Sequence, residues 1–253
     1  MSKLVLVTGG SRGIGREVCL LAANSGCDVA VNYTVNEAAA RDVVKAVEAT
    51  GRRAMMVRAD VSNVAQVDDM FSALDTELGT LDALVNNAGI GQTQARFEDT
   101  VPKDIVRTFE VNVFGLFYCS QAAVRRMSTR HGGTGGVIVN VSSAAARTGG
   151  VNAFIDYAAS KGAVDTITTG LARESGGDGI RVNAVRPGVT ETEMIEAIRD
   201  KDPMWLETVV KTMPMGRIGT AREIANAIFW LMSEESSYVT GSIIDASGGR
   251  AVP

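Results

Sequence analysis

Short apolar runs alternate with amphipathic stretches along most of the chain. The runs are rich in β-branched residues and nearly continuous, which is typical of parallel strands buried on both faces. They predict strands over Lys3–Thr8, Asp28–Asn32, Arg53–Arg58, Ala83–Asn86, Val137–Val141, Arg181–Val185 and Ser242–Asp245. Apolar residues at helical spacing predict helices over residues 13–25, 37–50, 63–77, about 102–128, 155–175 and 221–232. The alternation predicts an α/β fold, a doubly wound parallel sheet of about seven strands with helices on both faces.

The alternation of predicted strands and helices continues with few interruptions, which indicates a single domain. No linker rich in Pro, Gly or Ser divides the 253 residues, so we expect a single domain over residues 1–253. Residues 189–215 break the alternation with Pro203, Pro214, Trp205 and several methionines. An irregular apolar insertion at this point is a candidate substrate lid and, equally, a loop that simply caps the core.

Composition removes several classes of function. The net charge is −4 and the chain has no basic block, no long apolar run and no signal-peptide pattern, so we expect neither nucleic acid nor a membrane as a partner. Cys19, Cys27 and Cys119 have no paired spacing, which favours reduced thiols in a cytoplasmic protein. The single histidine, His131, cannot by itself supply a zinc site of the usual kind or a Ser-His-Asp hydrolase. We therefore expect no metal.

A glycine-rich turn, Thr8–Gly15, joins the first predicted strand to the first predicted helix. Glycines allow a tight turn and let the backbone approach a pyrophosphate, and the helix N-terminus offers free N–H groups to the phosphates. A glycine cluster alone is a weak signal, but its place at the start of a strand–helix–strand series indicates a Rossmann dinucleotide site. The expected contacts are Gly9, Ser11, Arg12, Gly13, Ile14 and Gly15.

The end of the second strand should decide which nicotinamide cofactor binds. An acidic residue there would bind both ribose hydroxyls of NAD and repel a 2′-phosphate. This chain has Asn32, Tyr33 and Thr34 instead. Arg12 carries a positive fork suited to phosphate and can reach the same region. Together these residues favour NADP(H), with NAD(H) as the alternative, although no second basic residue stands at 33–35.

Tyr157 and Lys161 are four residues apart on a predicted helix and therefore share one face. A free phenol has a pKa of about 10 and is a poor base at neutral pH. A nearby ammonium stabilises the phenolate and lowers that pKa toward the working range. The pair alone is common on helix surfaces, so its meaning depends on the other motifs.

With those motifs included, the chain resembles the short-chain dehydrogenase/reductase family over essentially its whole length. The resemblance rests on Thr8–Gly15, Asp60, Asn86-Asn87-Ala88-Gly89, Asn112, Ser143, Tyr157-x-x-x-Lys161 and Pro187-Gly188-x-Thr190-x-Thr192. Within the family, the chain looks closest to bacterial members grouped with 3-ketoacyl-carrier-protein reductases and glucose 1-dehydrogenases.

The resemblance implies a catalytic set of Asn112, Ser143, Tyr157 and Lys161. Tyr157 would be the acid/base, Lys161 would also bind the nicotinamide ribose, and the backbone carbonyl of Asn112 would hold a water that links Lys161 to solvent. Ser143 would hydrogen-bond the substrate oxygen. Ser142 stays open for that role, because successive strand residues point to opposite faces and only one of the two can face the site.

The resemblance also implies a cofactor site and an assembly. Beyond the glycine turn, Tyr157 and Lys161, the implied cofactor contacts are Asn32, Tyr33, Thr34, Asp60, Val61, Asn87, Ala88, Gly89, Pro187, Gly188, Thr190 and Thr192. Family members are usually tetramers joined through the two long helices, here 102–128 and 155–175, so we expect a homotetramer. Apolar residues on these helices exceed what one buried face needs.

These observations predict an oxidoreductase that moves hydride between NADP(H) and a small carbonyl or alcohol substrate. The alternative is a catalytically silent dinucleotide-binding sensor or scaffold, which the intact catalytic set argues against. Both a 3-ketoacyl thioester and a sugar or polyol stay open as substrates. The candidate pocket residues are Gly91–Arg96, Ala144–Asn152, Phe154 and Met194–Met215.

Overall fold

The computed structural model describes residues 3–91, 95–151, 153–201 and 203–251. The strands are β1 (Leu4–Val7), β2 (Asp28–Tyr33), β3 (Ala54–Arg58), β4 (Ala83–Asn86), β5 (Gly136–Val141), β6 (Ile180–Pro187), β7 (Thr190–Glu191), β8 (Gly219–Thr220) and β9 (Ile243–Ala246). The α-helices are α1 (Gly13–Asn24), α2 (Glu37–Glu48), α3 (Val64–Glu77), α4 (Pro102–Phe109), α5 (Gly115–Met127), α6 (Ala145–Thr148), α7 (Ile155–Ser175), α8 (Glu193–Lys201), α9 (Pro203–Val210) and α10 (Ala221–Met232).

Seven strands form one parallel sheet in the order β3-β2-β1-β4-β5-β6-β9. The chain starts in the middle at β1, winds outward to β3, and returns to β4 before winding out to the other edge. This reversal between β1 and β4 is the crevice where open α/β sheets bind ligands at the carboxyl ends of their strands. The predicted α/β doubly wound fold is confirmed.

The apolar core lies in two layers, one on each face of the sheet. Val5 and Val7 of β1 belong to one buried cluster, whereas Leu4 and Leu6 belong to the other. Successive strand residues point to opposite faces, so β1 contributes to both layers and is apolar throughout. This two-sided burial fixes the strand ends, and with them the turns that carry the site.

The helix predicted over about 102–128 is interrupted by a π-helical turn. After α4, residues Glu110–Phe114 widen into one π-turn before α5 continues to Met127. Asn112 lies in this turn and is 1% exposed. A π-turn leaves the local i→i−4 pattern and is frequent at functional sites, so this departure from a regular helix coincides with a residue that the sequence singled out.

The expectation that residues 189–215 form an irregular insertion is corrected by the structure. The segment contains β7, α8 and α9. Val189, Val209 and Met213 form a small apolar cluster of their own, against which Trp205 packs. Its apolar residues therefore build a local core, and whether the segment acts as a lid stays a prediction. Among the described residues, no helix is long and apolar enough to cross a bilayer.

Candidate active site

The glycine turn is shaped by close backbone approaches that exclude larger side chains. Gly9 has φ +61°, in the region that favours glycine. A Cβ on Gly15 would lie 2.4 Å from the Gly9 carbonyl oxygen, so only glycine fits where α1 begins. Asn87 Nδ2 donates to the carbonyl oxygens of Thr8 and Gly9 at 2.9 and 3.0 Å. These contacts tie the end of β4 to the turn after β1.

The N-terminus of α1 has no side-chain cap. Its N-cap residue, Arg12, is extended and makes no capping hydrogen bond, whereas Asn36, Asn63 and Thr220 cap α2, α3 and α10. The N–H groups of the first helical turn need partners, and their partial positive charge suits an anion. The residues present therefore fit the pyrophosphate of a dinucleotide.

The structure places Asn32 behind the glycine turn and not on its open side. Asn32 is 1% exposed, its Oδ1 accepts from the Gly9 N–H at 3.1 Å, and its Nδ2 donates to the Ala59 carbonyl at 2.9 Å. Tyr33 is also buried, at 7% exposure, so Thr34 is the exposed residue of the three. The side chain of Asn32, an expected cofactor contact, is thus used within the protein, because its amide joins the glycine turn to the residue after β3.

Two arginines lie on elements next to the end of β2. Arg12 is in the glycine turn, which the N–H groups of Gly9 and Gly10 join to Asn32, and Arg58 is on β3. Arg12 Nη1 donates to Glu193, the first residue of α8. Arg58, paired in register with Tyr33, donates from Nε to the Thr34 carbonyl at 3.1 Å. The sequence has no second basic residue at 33–35, but Arg58 supplies one at the end of β2 from the neighbouring strand, which the pattern of β2 alone could not predict.

Asp60 follows β3 and is held by three hydrogen bonds. Its Oδ1 accepts from the Ser62 hydroxyl and N–H, and its Oδ2 accepts from Arg107 Nη2 at 2.7 Å. Partial burial acts to raise the pKa of Asp60, but the hydrogen bonds from Ser62 and Arg107 outweigh it and lower that pKa. Val61, beside it, is buried at 4% exposure. Arg107 was not predicted, since it is 47 residues away along the chain.

Ser143, Tyr157 and Lys161 come together at the carboxyl end of β5. The Ser143 hydroxyl lies close enough to the Tyr157 phenol to influence its pKa. Lys161 Nζ lies 5.7 Å from the centre of the Tyr157 ring and donates to the Val141 carbonyl at 2.8 Å. Ser142 is placed on the opposite side, 2% exposed, with its hydroxyl donating to the Lys161 carbonyl. Of the two serines, the structure therefore brings Ser143 to Tyr157.

Burial controls the protonation of this pair. It raises the pKa of Tyr157, and the neighbouring Ser143 hydroxyl opposes that rise. Burial lowers the pKa of Lys161 from 10.5 to about 8, against the smaller effect of the Asp165 charge. In the protein alone, the phenol therefore has no lowered pKa of the kind that the sequence argument anticipated. Lys161 is still mostly protonated at neutral pH.

Asn112 links the catalytic helix to the end of β4. Its Oδ1 accepts from the Ile90 N–H at 2.8 Å, and its Nδ2 donates to the Ile90 carbonyl and to the Ser160 hydroxyl. A Cβ on Gly89 would lie 3.3 Å from Lys161 Nζ and 3.4 Å from Asn112 Oδ1. Gly89 thus leaves room for these side chains to converge, and the amide of Asn112 is fully used within the protein.

The segment Pro187–Thr192 runs from β6 toward the glycine turn. A Cβ on Gly188 would lie 2.7 Å from Ser247 Cα, so the backbones are in close contact there. Thr190 donates to the Gly188 carbonyl at 3.0 Å, and the methyl of Thr192 lies next to Gly13. The segment therefore reaches the phosphate end of the proposed cofactor site.

A partly buried charge network, which the sequence did not predict, includes a residue of the catalytic helix. Arg186 pairs with Asp165 at 2.8 Å and with Asp245 at 3.5 Å, and Arg147 pairs with Asp245 at 3.6 Å. The network joins α6, α7, β6 and β9, which all contribute to the site. No spacing signal could have found it, because its members come from four separate elements.

Some of the predicted pocket residues lie outside the described part of the chain, and the cavity nearest to Gly188 lies away from the catalytic residues. Gln92, Gln94 and Asn152 lie outside the described residues. A cavity of about 310 Å³ adjoins Gly188 and is lined also by Met215 and Ser247. None of the catalytic candidates lines that cavity, so it is not where a substrate would meet Tyr157.

Comparison with known proteins agrees with this geometry. Residues 9–251 match a family model described as enoyl-(acyl carrier protein) reductase. The chain is 49% identical over 247 residues to the oxidoreductase YgfF of Escherichia coli strain K12, covering 98% of this chain and 99% of that protein. It is 36% identical over 251 residues to the 3-oxoacyl-(acyl-carrier-protein) reductase FabG of Staphylococcus aureus strain N315, covering 98% of each.

A solved structure has nearly the same fold as this chain. The gluconate 5-dehydrogenase of Burkholderia cenocepacia J2315, crystallised with NADP and tartrate, superposes with a TM-score of 0.91 at 31% identity, over 100% of this chain and 97% of that one. The doubly wound sheet and the glycine turn define a dinucleotide-binding protein. More particularly, the chain belongs to the short-chain dehydrogenase/reductase family. It is an NAD(P)-dependent dehydrogenase or reductase.

Proposed function

We propose that this enzyme transfers hydride between NADP(H) and a carbonyl or alcohol substrate, with Tyr157 as the acid/base. The observation that carries the proposal is the convergence of Ser143, Tyr157 and Lys161 at the end of β5, beside the glycines that follow β4. A silent sensor or scaffold would not need these three groups together.

In the reducing direction, the substrate carbon accepts a hydride and its oxygen accepts a proton. The nicotinamide cofactor supplies the hydride when bound. Tyr157 gives its phenolic proton to the forming alkoxide, while the Ser143 hydroxyl holds that oxygen by a hydrogen bond. In the oxidising direction, Tyr157 takes the proton back. Positioned proton transfer of this kind contributes about 10²- to 10⁴-fold to the rate.

Lys161 has two roles in this proposal. Its ammonium favours the phenolate form of Tyr157 during proton transfer, and it donates to the nicotinamide ribose. To do so, Nζ shares or exchanges its present acceptor, the Val141 carbonyl. The π-turn at Asn112 supports the further role that the family suggests, a backbone carbonyl that holds a water beside Lys161, because π-turns free backbone groups from the helical pattern.

The preference for NADP(H) rests on charge at the end of β2. Arg58 reaches this region, Arg12 stands in the glycine turn that is hydrogen-bonded to Asn32, and the exposed residue there, Thr34, is neutral. A 2′-phosphate would gain charge-assisted hydrogen bonds from the guanidinium groups, and no carboxylate in Asn32–Thr34 would repel it. NADP in the gluconate 5-dehydrogenase structure is consistent with this choice, whereas the L-rhamnose 1-dehydrogenase of Sphingomonas, 37% identical, is named for both cofactors.

The relatives are named for substrates of two classes, and both stay candidates for this enzyme. Those named for 3-oxoacyl chains and for a hydroxysteroid favour an apolar substrate, and the apolar cluster around Trp205 in residues 189–215 would suit one. Relatives named for L-rhamnose and gluconate favour a polyol. The decisive experiment is a panel of both substrate classes with each cofactor, followed at the nicotinamide absorbance. Turnover with none of them would contradict the proposal.

A homotetramer is part of the same proposal. Val106, Phe114 and Phe117 on α4, the π-turn and α5 are 43–56% exposed, although Val113 and Met127 in the same stretch are buried within the chain. Large apolar side chains exposed together indicate a surface that a partner covers.

The cytoplasmic location stays a prediction.

A further inference from the structure

The glycine turn and the 189–215 segment meet at two adjacent pairs of residues. Arg12 Nη1 donates to Glu193 Oε2 at 2.5 Å, and a Cβ on Gly13 would lie 3.4 Å from the methyl of Thr192. Gly13 begins α1 and Glu193 begins α8. The phosphate-binding turn therefore directly holds the start of the segment that the sequence marks as a candidate lid.

Glu193 is hydrogen-bonded to the Arg12 guanidinium, the same group that the proposed function assigns to the 2′-phosphate of the cofactor. A 2′-phosphate carries nearly two negative charges, and placing it beside the Glu193 carboxylate on one guanidinium would set like charges close together. The side chains of Arg12 and Glu193 are 66% and 59% exposed, so the pair is screened by water and is weak enough to be displaced.

We propose that Glu193 and the cofactor's 2′-phosphate compete for Arg12, so that NADP(H) detaches the start of α8 from the glycine turn and NAD(H) leaves it attached. This inference rests on the proposed function, in which Arg12 binds the 2′-phosphate. Glu193 is then a specificity-determining residue that weakens NADP(H) binding alone. By linkage, the same competition makes the two cofactors hold the 189–215 segment differently.

The first test measures the dissociation constants of NADP⁺ and NAD⁺ for Glu193→Gln. Removing the competitor should tighten NADP⁺ about two- to fivefold, the range set by an exposed ion pair, and leave NAD⁺ unchanged. Glu196→Gln is the matched control, because Glu196 is an exposed acid three residues further along α8 and makes the same change of charge. That control should alter neither constant.

Each other outcome has a definite meaning. Arginine has five donors and could bridge two anions; in that case Glu193→Gln would weaken NADP⁺ binding and overturn the proposal. Unchanged NADP⁺ binding, or equal tightening of NAD⁺, would also overturn it. Arg12→Ala distinguishes failure of the cofactor assignment from failure of the competition. If it leaves NADP⁺ binding unchanged, the proposed cofactor assignment fails; if it weakens NADP⁺ while Glu193→Gln has no effect, only the competition fails.

The second test follows the 189–215 segment itself by limited trypsin digestion. Arg199 in α8 and Lys211 after α9 are exposed cleavage sites. The wild-type enzyme should be cut in this segment faster when saturated with NADP⁺ than with NAD⁺. Glu193→Gln should remove the difference, because neither cofactor then has an ion pair to break. Equal rates for the two cofactors in the wild-type enzyme would contradict the inference.

Discussion

Lys161 should reduce the stability of the fold that carries it, and Lys161→Met tests this. The side chain is buried with its pKa lowered from 10.5 to about 8. The folded state therefore releases the proton more readily than the unfolded chain does. Each tenfold change in proton affinity corresponds to about 1.4 kcal/mol, so the ammonium form costs about 3 kcal/mol below pH 8.

The expected net gain is smaller, since Lys161 also donates to the Val141 carbonyl. Leaving that carbonyl without its partner costs about 1 kcal/mol or more. At pH 7, Lys161→Met should therefore raise the free energy of unfolding by about 1–3 kcal/mol, although the variant loses turnover. Such an exchange of stability for function is common at active sites.

The pH dependence gives the sharper signature. Between about pH 8 and 10.5 the unfolded wild-type chain binds more protons at Lys161 than the folded one does, so wild-type stability rises with pH in this window. The advantage of Lys161→Met should shrink accordingly. Urea unfolding at pH 7, 8, 9 and 10, at one protein concentration and without cofactor, measures it. The control is Lys45→Met on the exposed face of α2, which should show no such trend. A Lys161→Met protein that is less stable than wild type at pH 7, or whose advantage is independent of pH, would refute the reasoning.

Three further predictions follow from the site and the surface. Arg12→Ala should weaken NADP⁺ binding by about 1.5–3 kcal/mol, the scale of a charge-assisted hydrogen bond, and leave NAD⁺ nearly unchanged in fluorescence titrations; equal losses for both would remove Arg12 from the 2′-phosphate site. Ser143→Ala should lower kcat strongly while Ser142→Ala mainly lowers the melting temperature, because only Ser143 reaches Tyr157; the reverse result would exchange their roles. Phe117→Glu places a charge on an exposed apolar surface and should lower the mass seen by light scattering from about four chains; a wild-type mass of 26.6 kDa would contradict the tetramer itself.

The strands and the glycine turn could be predicted because each depends on a local pattern. The apolar run of β1 predicts a buried strand, and the glycines of Thr8–Gly15 predict a tight turn because glycine adopts positive φ angles readily. The spacing of Tyr157 and Lys161 likewise depends on one helix, which the structure contains as α7. In a parallel sheet with alternating helices, the glycine turn and the start of α7 both lie at the carboxyl ends of the strands, so their order along the chain predicts that they share one site.

The missed features depend on contacts between distant segments. The π-turn at Asn112 is stabilised by hydrogen bonds to Ile90 and Ser160, which helix propensity does not include. Asn32 faces Gly9 because β2 passes behind the turn, and nothing in the second strand alone shows this. Pairs such as Arg107 with Asp60 join residues far apart in sequence.

The direct test of the central claim is the turnover of Tyr157→Phe beside the wild-type enzyme, on a substrate found with the carbonyl and alcohol panel. The substitution removes one hydroxyl and keeps the ring that lies beside Lys161 Nζ. We expect kcat to fall by about 10²-fold or more, with the dissociation constant of NADP⁺ unchanged, because only the proton donor is lost. A folded Tyr157→Phe protein that binds NADP⁺ normally and turns over at the wild-type rate would show that Tyr157 is not the acid/base.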